Sequence, residues 1–349
     1  MLTTIVAAII VLGGLIFFHE LGHFAVARWL GMGVSTFSLG FGPKLLKYRH
    51  GKTEYALSLV PLGGYVALVG ENDENDIPSG FTREECFSLR PAWQRFLVIA
   101  AGPFANILLA CGGSPIMADD PGEVEEITAL CSGLNINIGT LNQRSIQGML
   151  RAGKKAAQLH HVLLLDPVGA GASALRTNTA VDLMEQLPFT VIRGNISEIK
   201  TLALGSGKTR GVDADVSDAV SDENLDSAVA FVKDFAQRSH AIVAVTGAID
   251  LVSDGQRCFV IRNGRPEMGK ITGTGCQLSG MMTAFVVANP DRRLEAAAAA
   301  VCAMGLAGET GWSRMAPGDG NSTYRNRIID AIYNMDGAAL DKGAKYEVR

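Results

Sequence analysis

No two of the six cysteines in this 349-residue sequence (Cys86, Cys111, Cys131, Cys258, Cys276 and Cys302) are spaced as CxxC. That absence argues against a disulfide scaffold and a structural zinc site, and it suits a reducing compartment. Charge is sparse: Asp, Glu, Lys and Arg make up 19% of the residues, against roughly 25% in ordinary soluble chains. A formal net charge of −4 leaves no basic face to displace counterions, which removes nucleic acid as a partner. Internal repeats and low-complexity tracts are missing as well. Disorder is excluded because 48% of the residues are hydrophobic and offer ample surface to offset chain entropy.

What is present divides into two kinds of sequence. Met1 to Phe18 carries no charged side chain, and apolar character resumes after His19, Glu20 and His23 as far as Met32. About 20 largely apolar residues suffice to cross a bilayer, so Leu2 to roughly Leu30 is predicted to span one. A signal peptide would start with Lys or Arg, and none is there. A second uncharged stretch runs from Phe96 to Ala118. Between the two, Arg28, Lys44, Lys47, Arg49 and Lys52 place the intervening segment on the cytoplasmic side. The Gly-rich alternating run Tyr55 to Gly70 predicts short strands with turns.

From about Gly122 onward the pattern is that of an α/β domain. Leu134–Ile138, Val162–Leu165, Phe189–Ile192 and Ala241–Val245 are short apolar runs bounded by Gly, Pro or polar residues, as buried parallel strands should be. In Leu225 to Phe235 the apolar positions recur at helical steps. This alternation predicts a parallel sheet with helices on both faces. Asp250 to Gly264 reads as a hairpin turning at Asp254-Gly255. Closing helices are expected over Arg292–Ser313 and Tyr324–Tyr333.

His19-Glu-Leu-Gly-His23 sets two imidazoles four residues apart on one helix face, where both reach a single Zn2+ and Glu20 can act as base on a bound water. Ionisable residues inside an apolar span default to function. Residues 1 to about 110 resemble the site-2 family of intramembrane metalloproteases, through FFHELGHFAVAR, FGPKLL, VPLGGYVALVGE and GPFAN. That family takes its third zinc ligand from an aspartate in a late LDG motif, which this sequence lacks. Catalytic zinc needs three protein ligands, so protease activity is the alternative reading rather than the expected one.

Ile271-Thr-Gly-Thr-Gly-Cys-Gln-Leu-Ser279 enters an apolar helical run. Its glycines allow a tight turn, and successive N–H groups with the helix N-terminus make an anion hole, although glycines also serve plain caps. Asp166 ends one strand run, at the end where open α/β sheets bind ligands. Asn195 and Glu198 follow another beside Arg193; Asn195 fits a helix cap, and Glu198 suits Mg2+ or its water. Thr246 ends a third strand. A thiol at a helix N-terminus, Cys276, is expected to have a lowered pKa and to accept an alcohol proton, unless it is merely a small packing residue. Met117 fits either a core or a pocket wall.

The stretch from about Leu108 to the C-terminus resembles hydroxyethylthiazole kinase, a ribokinase-like family. The resemblance is carried by LLACGGSPIMADDPGEVEE, NINIGTLN, LLLDPVGAGAS, VIRGNISEI, VTGAIDLVSDG and ITGTGCQLSG. It implies phosphorylation of 4-methyl-5-(2-hydroxyethyl)thiazole by ATP with Mg2+, and a homotrimer. It also implies that Arg193 and Thr246 contact ATP, that Met117 and Gly273 line the thiazole site, and that Asp166 and Glu198 belong to the Mg2+/phosphate region. Cys276 stands where related sugar kinases place a catalytic aspartate.

The two resemblances meet in Ala105–Ala110, so the chain reads as a fusion of two incomplete partners, 1–107 and 108–349. The kinase part is without the family's opening segment and its Thr-Asn pair. Phe96–Ala118 either crosses a membrane or packs into the kinase as a core helix. The second is expected, which keeps a membrane-associated kinase on the cytoplasmic face.

Overall fold

The computed structural model describes residues 20–70, 77–87, 89–90, 106–118, 120–204 and 219–349. The chain divides into two units, Met1–Leu109 and Ala110–Arg349.

In the first unit a helical stretch, 20–29, ends just before Gly31, whose φ is +71°. β1 (Val34–His50) and β2 (Thr53–Leu68) follow. The short strands expected over Tyr55–Gly70 are therefore a single long strand, β2, which doubles back with β1. Residues 34–39 pair with 64–68 and also lie beside 54–57, while 44–50 pair with 53–58. The fold-back occurs at Gly40 and Gly42, whose φ values of +88° and +84° are open to glycine and disfavoured for a residue with a Cβ. A small core of Val26, Ala27, Met32, Val34 and Phe87 supports this sheet, with Phe24 edge-on to Phe37 at 5.2 Å. The outer hairpin leaves Leu45, Leu46, Tyr48 and Leu59 exposed.

The predicted span over Leu2–Leu30 lies mostly outside the described residues, as does the second up to residue 105. Of Phe96–Ala118 only 106–118 are described, and there Ile107 and Leu108 are buried. Residues 106–110 are helical, the chain turns at Cys111-Gly112, and 113–118 have no regular structure. Gly112 takes φ +86° and Pro115 follows, a combination that stops a helix. Among the described residues, no helix is long and apolar enough to cross a membrane.

The second unit runs α1 (Val124–Leu130), β3 (Gly133–Asn137), α2 (Gln143–Gln158), β4 (Val162–Asp166), α3 (Ala174–Gln186), β5 (Val191–Asn195), α4 (Ile196–Leu204) and α5 (Leu225–Ser239). It continues with β6 (Ile242–Thr246), β7 (Asp250–Ser253), β8 (Cys258–Ile261), α6 (Thr274–Ala288), α7 (Arg293–Ser313), α8 (Asn321–Tyr333), α9 (Gly337–Gly343) and β9 (Tyr346–Val348). The seven strands lie side by side in sequence order. β3 to β6 are parallel, as their apolar runs predict, but β7, β8 and β9 each run antiparallel to the preceding strand. The sheet is thus mixed: parallel over the four runs expected to be parallel, and antiparallel at the expected hairpin and on either side of it. Only three residues separate β6 from β7, too few for a crossover helix, so the chain must reverse. The expected hairpin joins β7 to β8, with Gly255 at φ +93° and Asp254 Oδ1 accepting from the N–H groups of Gln256 (2.9 Å) and Arg257 (2.8 Å).

Strand alternation sorts the two sheet faces. Ile136, Leu163, Leu165, Ile192, Val243, Val245 and Leu251 form one core with Ala156 of α2, Leu183 of α3, Ile199 of α4 and Val232 of α5. Every residue of β4 is buried, and each buried Leu contributes about 2 kcal/mol of burial free energy. The opposite face carries α6: a Cβ on Gly133 would lie 2.6 Å from Val287 and 3.0 Å from Thr283. β9 covers the free edge of β8, and Arg349 N–H and C=O exchange 2.8 Å bonds with Cys258.

Candidate active site

Four polar residues sit at or near the C-terminal ends of neighbouring parallel strands: Asn137 on β3, Asp166 on β4, Arg193 on β5 and Thr246 on β6. The register aligns Asn137 with Asp166, and the pleat turns their side chains toward the first turns of α6. That helix starts after Gly273, at φ +88°, a left-handed conformation in which glycine is unstrained. The described residues thus bring Asp166, Arg193, Thr246 and Cys276 together, with Glu198 one layer behind.

Asp166 is the centre of the cluster. Its Oδ2 accepts from Asn137 Nδ2 (2.9 Å) and Ser279 Oγ (2.8 Å), and Arg193 Nη1 lies 3.7 Å away. Its Oδ1 is buried with no hydrogen-bond partner, an unusual state for a buried carboxylate. Burial pushes the Asp166 carboxyl up, against the pull of Arg193 and the Ser279, Asn137 and Cys276 hydrogen bonds. Arg193 bridges three elements: Nη2 donates to Thr246 Oγ1 at 2.5 Å, Nη1 faces Asp166, and the guanidinium lies over Gly275. A Cβ on Gly275 would come within 2.8 Å of Nη1, so the missing side chain lets the cation reach the helix N-terminus.

Glu198 lies on α4, and its two oxygens are engaged by backbone. Oε1 accepts from Gly169 N–H (2.7 Å) and Oε2 from Asn195 N–H (2.8 Å), while Glu198 N–H donates to Asn195 Oδ1 (2.9 Å). This reciprocal capping ties the start of α4 to the loop after β4. Burial, with Asp166 nearby, pushes the Glu198 carboxyl up to about 7 despite its two backbone donors. Asp250 braces the next loop by accepting from Gly247 N–H at 2.8 Å.

Cys276 departs from the sequence expectation. Its thiol is pushed up to about 12, first by burial and then by the negative Asp166, which together outweigh Arg193 and the Asn137 hydrogen bond. A helix N-terminus lowers a thiol pKa only when desolvation does not overwhelm it, so the lowered thiol is corrected to a raised one. Met117 is 52% exposed in the irregular stretch 113–118, which removes the core alternative. Asn137 and Ser279 act in the cluster but carried no sequence assignment. Ser279 was findable as the residue one helical turn beyond Cys276, and Asn137 as the inward position ending the strand next to Asp166.

For the zinc constellation, Glu20 and His23 lie on the helical stretch 20–29, while His19 is outside the described residues. Among the described residues, no group of three or more His, Cys, Asp or Glu side chains is placed to hold a metal ion. The zinc site predicted at His19, Glu20 and His23 thus lies partly outside the described residues, and no zinc site is shown among those described.

A family model described as the hydroxyethylthiazole kinase family matches residues 98–337. The chain is 60% identical over 243 residues to the hydroxyethylthiazole kinase of Clostridium acetobutylicum, an alignment covering 70% of this chain and 89% of the relative. It is 44% identical over 248 residues to that of Desulfovibrio desulfuricans, covering 69% and 87%. Among solved structures it is similar to the hydroxyethylthiazole kinase protein of Pyrococcus horikoshii OT3, at 32% identity and a TM-score of 0.61, over 70% of this chain and 88% of that one.

Proposed function

This chain belongs to the hydroxyethylthiazole kinase family, and from that premise we propose that Ala110–Arg349 transfers the γ-phosphoryl group of ATP to the hydroxyl of 4-methyl-5-(2-hydroxyethyl)thiazole. The product is the thiazole phosphate used in thiamine biosynthesis. Use of ATP assigns this unit to the cytoplasm.

One observation carries the reading: a guanidinium, a buried carboxylate and the N-terminus of α6 converge where parallel strands end. Phosphoryl transfer needs little covalent help from the protein, and it rewards positive, preorganised groups around the moving phosphate. The bond from the alcohol oxygen to γ-phosphorus forms as the bond to the β,γ-bridging oxygen breaks. The alcohol proton leaves to a phosphate oxygen or water, and ADP departs.

Arg193, fixed by Thr246, neutralises phosphate charge, and the N–H groups after Gly273 hold the transferring oxygens. Asp166 Oδ1, buried and unpartnered, fits a Mg2+ ion or one of its waters. A Mg2+ ion held there would neutralise phosphate charge. Glu198, with both oxygens held by backbone N–H groups, shapes the loop that presents Asp166 and would add negative charge to the Mg2+/phosphate region. Gly273, at the start of α6, and Met117 are the residues that the family resemblance implies for the thiazole side of the site. Cys276, held as a neutral thiol, orients the hydroxyl rather than deprotonating it in advance.

The test is an assay of the full chain with Mg-ATP and the thiazole alcohol, reading thiazole phosphate and ADP. Arg193→Ala is expected to lower kcat/KM by roughly 10²–10³-fold, the usual cost of losing one charge-stabilising donor. Equal turnover by the variant rejects the assignment, and no thiazole phosphate from wild type rejects the function.

A further inference from the structure

Asn137 closes β3 with its side chain on the α6 face, and both its amide hydrogens and its amide oxygen are engaged. Oδ1 accepts from Gly139 N–H at 2.8 Å, while Nδ2 points at Asp166 Oδ2 (2.9 Å) and at Cys276 Sγ (3.2 Å). Two amide hydrogens therefore serve two acceptors, one carboxylate and one sulfur. The amide orientation is fixed, since a flip would set its carbonyl against the carboxylate and its NH2 against Gly139 N–H. The loop is braced in turn, because Gly139 C=O accepts from Arg176 Nη2 at 2.8 Å. Cys276 is on the first turn of α6, where its Cα–Cβ torsion would otherwise sample several staggered wells.

We propose that Asn137 is a positioning residue for phosphoryl transfer, holding the Cys276 sulfur in one orientation beside Asp166 so that the acceptor hydroxyl meets a fixed surface. The inference rests on the kinase reading above. Asparagine is suited to the task because it presents one acceptor and two donors from a short, stiff stem. Aspartate at this place keeps the acceptor for Gly139 but turns the donor into a second anion facing Asp166 and the thiol. Alanine removes the Asn137 donor and leaves Sγ held only through Asp166, and misplacement by an ångström can cost on the order of 10²-fold in rate.

The experiment is a double-mutant cycle on the full chain. Asn137→Ala is expected to lower kcat by roughly 10–100-fold while KM for Mg-ATP stays within about threefold, because Arg193 and Thr246 are untouched. In a Cys276→Ala background the same substitution is expected to change kcat by less than about threefold, the non-additivity of a residue that acts through its neighbour. An unchanged kcat in the single variant, or an equal loss in both backgrounds, overturns the proposal in favour of a purely structural Asn137. Thermal melts and far-UV dichroism separate misfolding from this outcome.

A readout independent of turnover distinguishes failure here from failure of the kinase reading. A crystal structure of Asn137→Ala is expected to show the Cys276 side chain in more than one staggered orientation, where wild type has one. A single, unchanged orientation in the variant sinks the positioning role whether or not wild type phosphorylates the thiazole.

Discussion

In the first unit, Glu20 and His23 share one helical stretch, 20–29, beside a core built on Val26, Ala27, Met32, Val34 and Phe87. In the second, Asp166, Arg193, Thr246 and Cys276 come from four separate elements and meet. Spacing along a helix is local information: it delivers two side chains to one face and then needs a partner from elsewhere. A parallel sheet supplies its own partners, because register aligns the strand ends and the pleat aims alternate residues the same way. A motif of five residues was therefore weaker testimony to chemistry than single polar residues scattered over a hundred positions.

The same contrast governs how each unit should respond to substitution. The largest effect is expected deep in the second unit. A Cβ on Gly305 of α7 would lie 2.7 Å from the backbone carbon of Asn263 and 2.8 Å from its carbonyl oxygen. Gly305→Leu should cost about 3 kcal/mol by overpacking, which lowers Tm by roughly 6–12 °C for a unit of this size. A differential scan in which the main transition does not move would show that the contact of α7 with Asn263 yields without cost.

A smaller effect follows from Glu198. Its carboxyl, ordinarily near 4.5, is pushed up to about 7 by burial in the folded chain. Between those values the folded protein holds a proton that the unfolded chain has lost. The corresponding stability is complete below the lower value and disappears as pH rises through the upper one. Metal-free wild type should lose Tm between pH 5 and 8, and Glu198→Gln should show a shallower loss over the same window. Parallel melting curves for the two proteins would remove Glu198 from the pH response.

The smallest effect belongs to the outer hairpin of the first unit. Leu46 and Tyr48 are 68% and 67% exposed, so Leu46→Ser with Tyr48→Ser should change stability by no more than about 0.5 kcal/mol and leave thiazole phosphorylation as it is. A drop in kinase turnover would erase the distinction between the two units.

Much of the second unit was legible because its strands are buried on both faces. Leu163, Leu164 and Leu165 announce β4 without ambiguity, and the Asp254-Gly255 turn announces the β7–β8 hairpin. β9 escaped because Tyr346, Glu347 and Val348 are all exposed and its pairing is set by tertiary contact rather than by pattern. Asp166, Arg193, Glu198, Thr246 and Cys276 could be picked out as polar residues just beyond apolar runs. Their electrostatics could not: the Cys276 shift depends on how far burial and Asp166 outweigh Arg193, a balance of distances that no spacing encodes. The first unit misled for a related reason, since the glycines of Tyr55–Gly70 read as turns between short strands yet Gly63 and Gly64 lie within the long strand β2.

β8, Cys258–Ile261, is apolar and buried throughout, and only the last few residues of the chain lie along its outer edge. Those residues act as a shield against self-association. A polypeptide that loses Lys345–Arg349 by exopeptidase trimming or a premature stop would present Cys-Phe-Val-Ile as a naked template to its neighbours. Such a product would partition into the insoluble fraction even though every residue that handles nucleotide is intact.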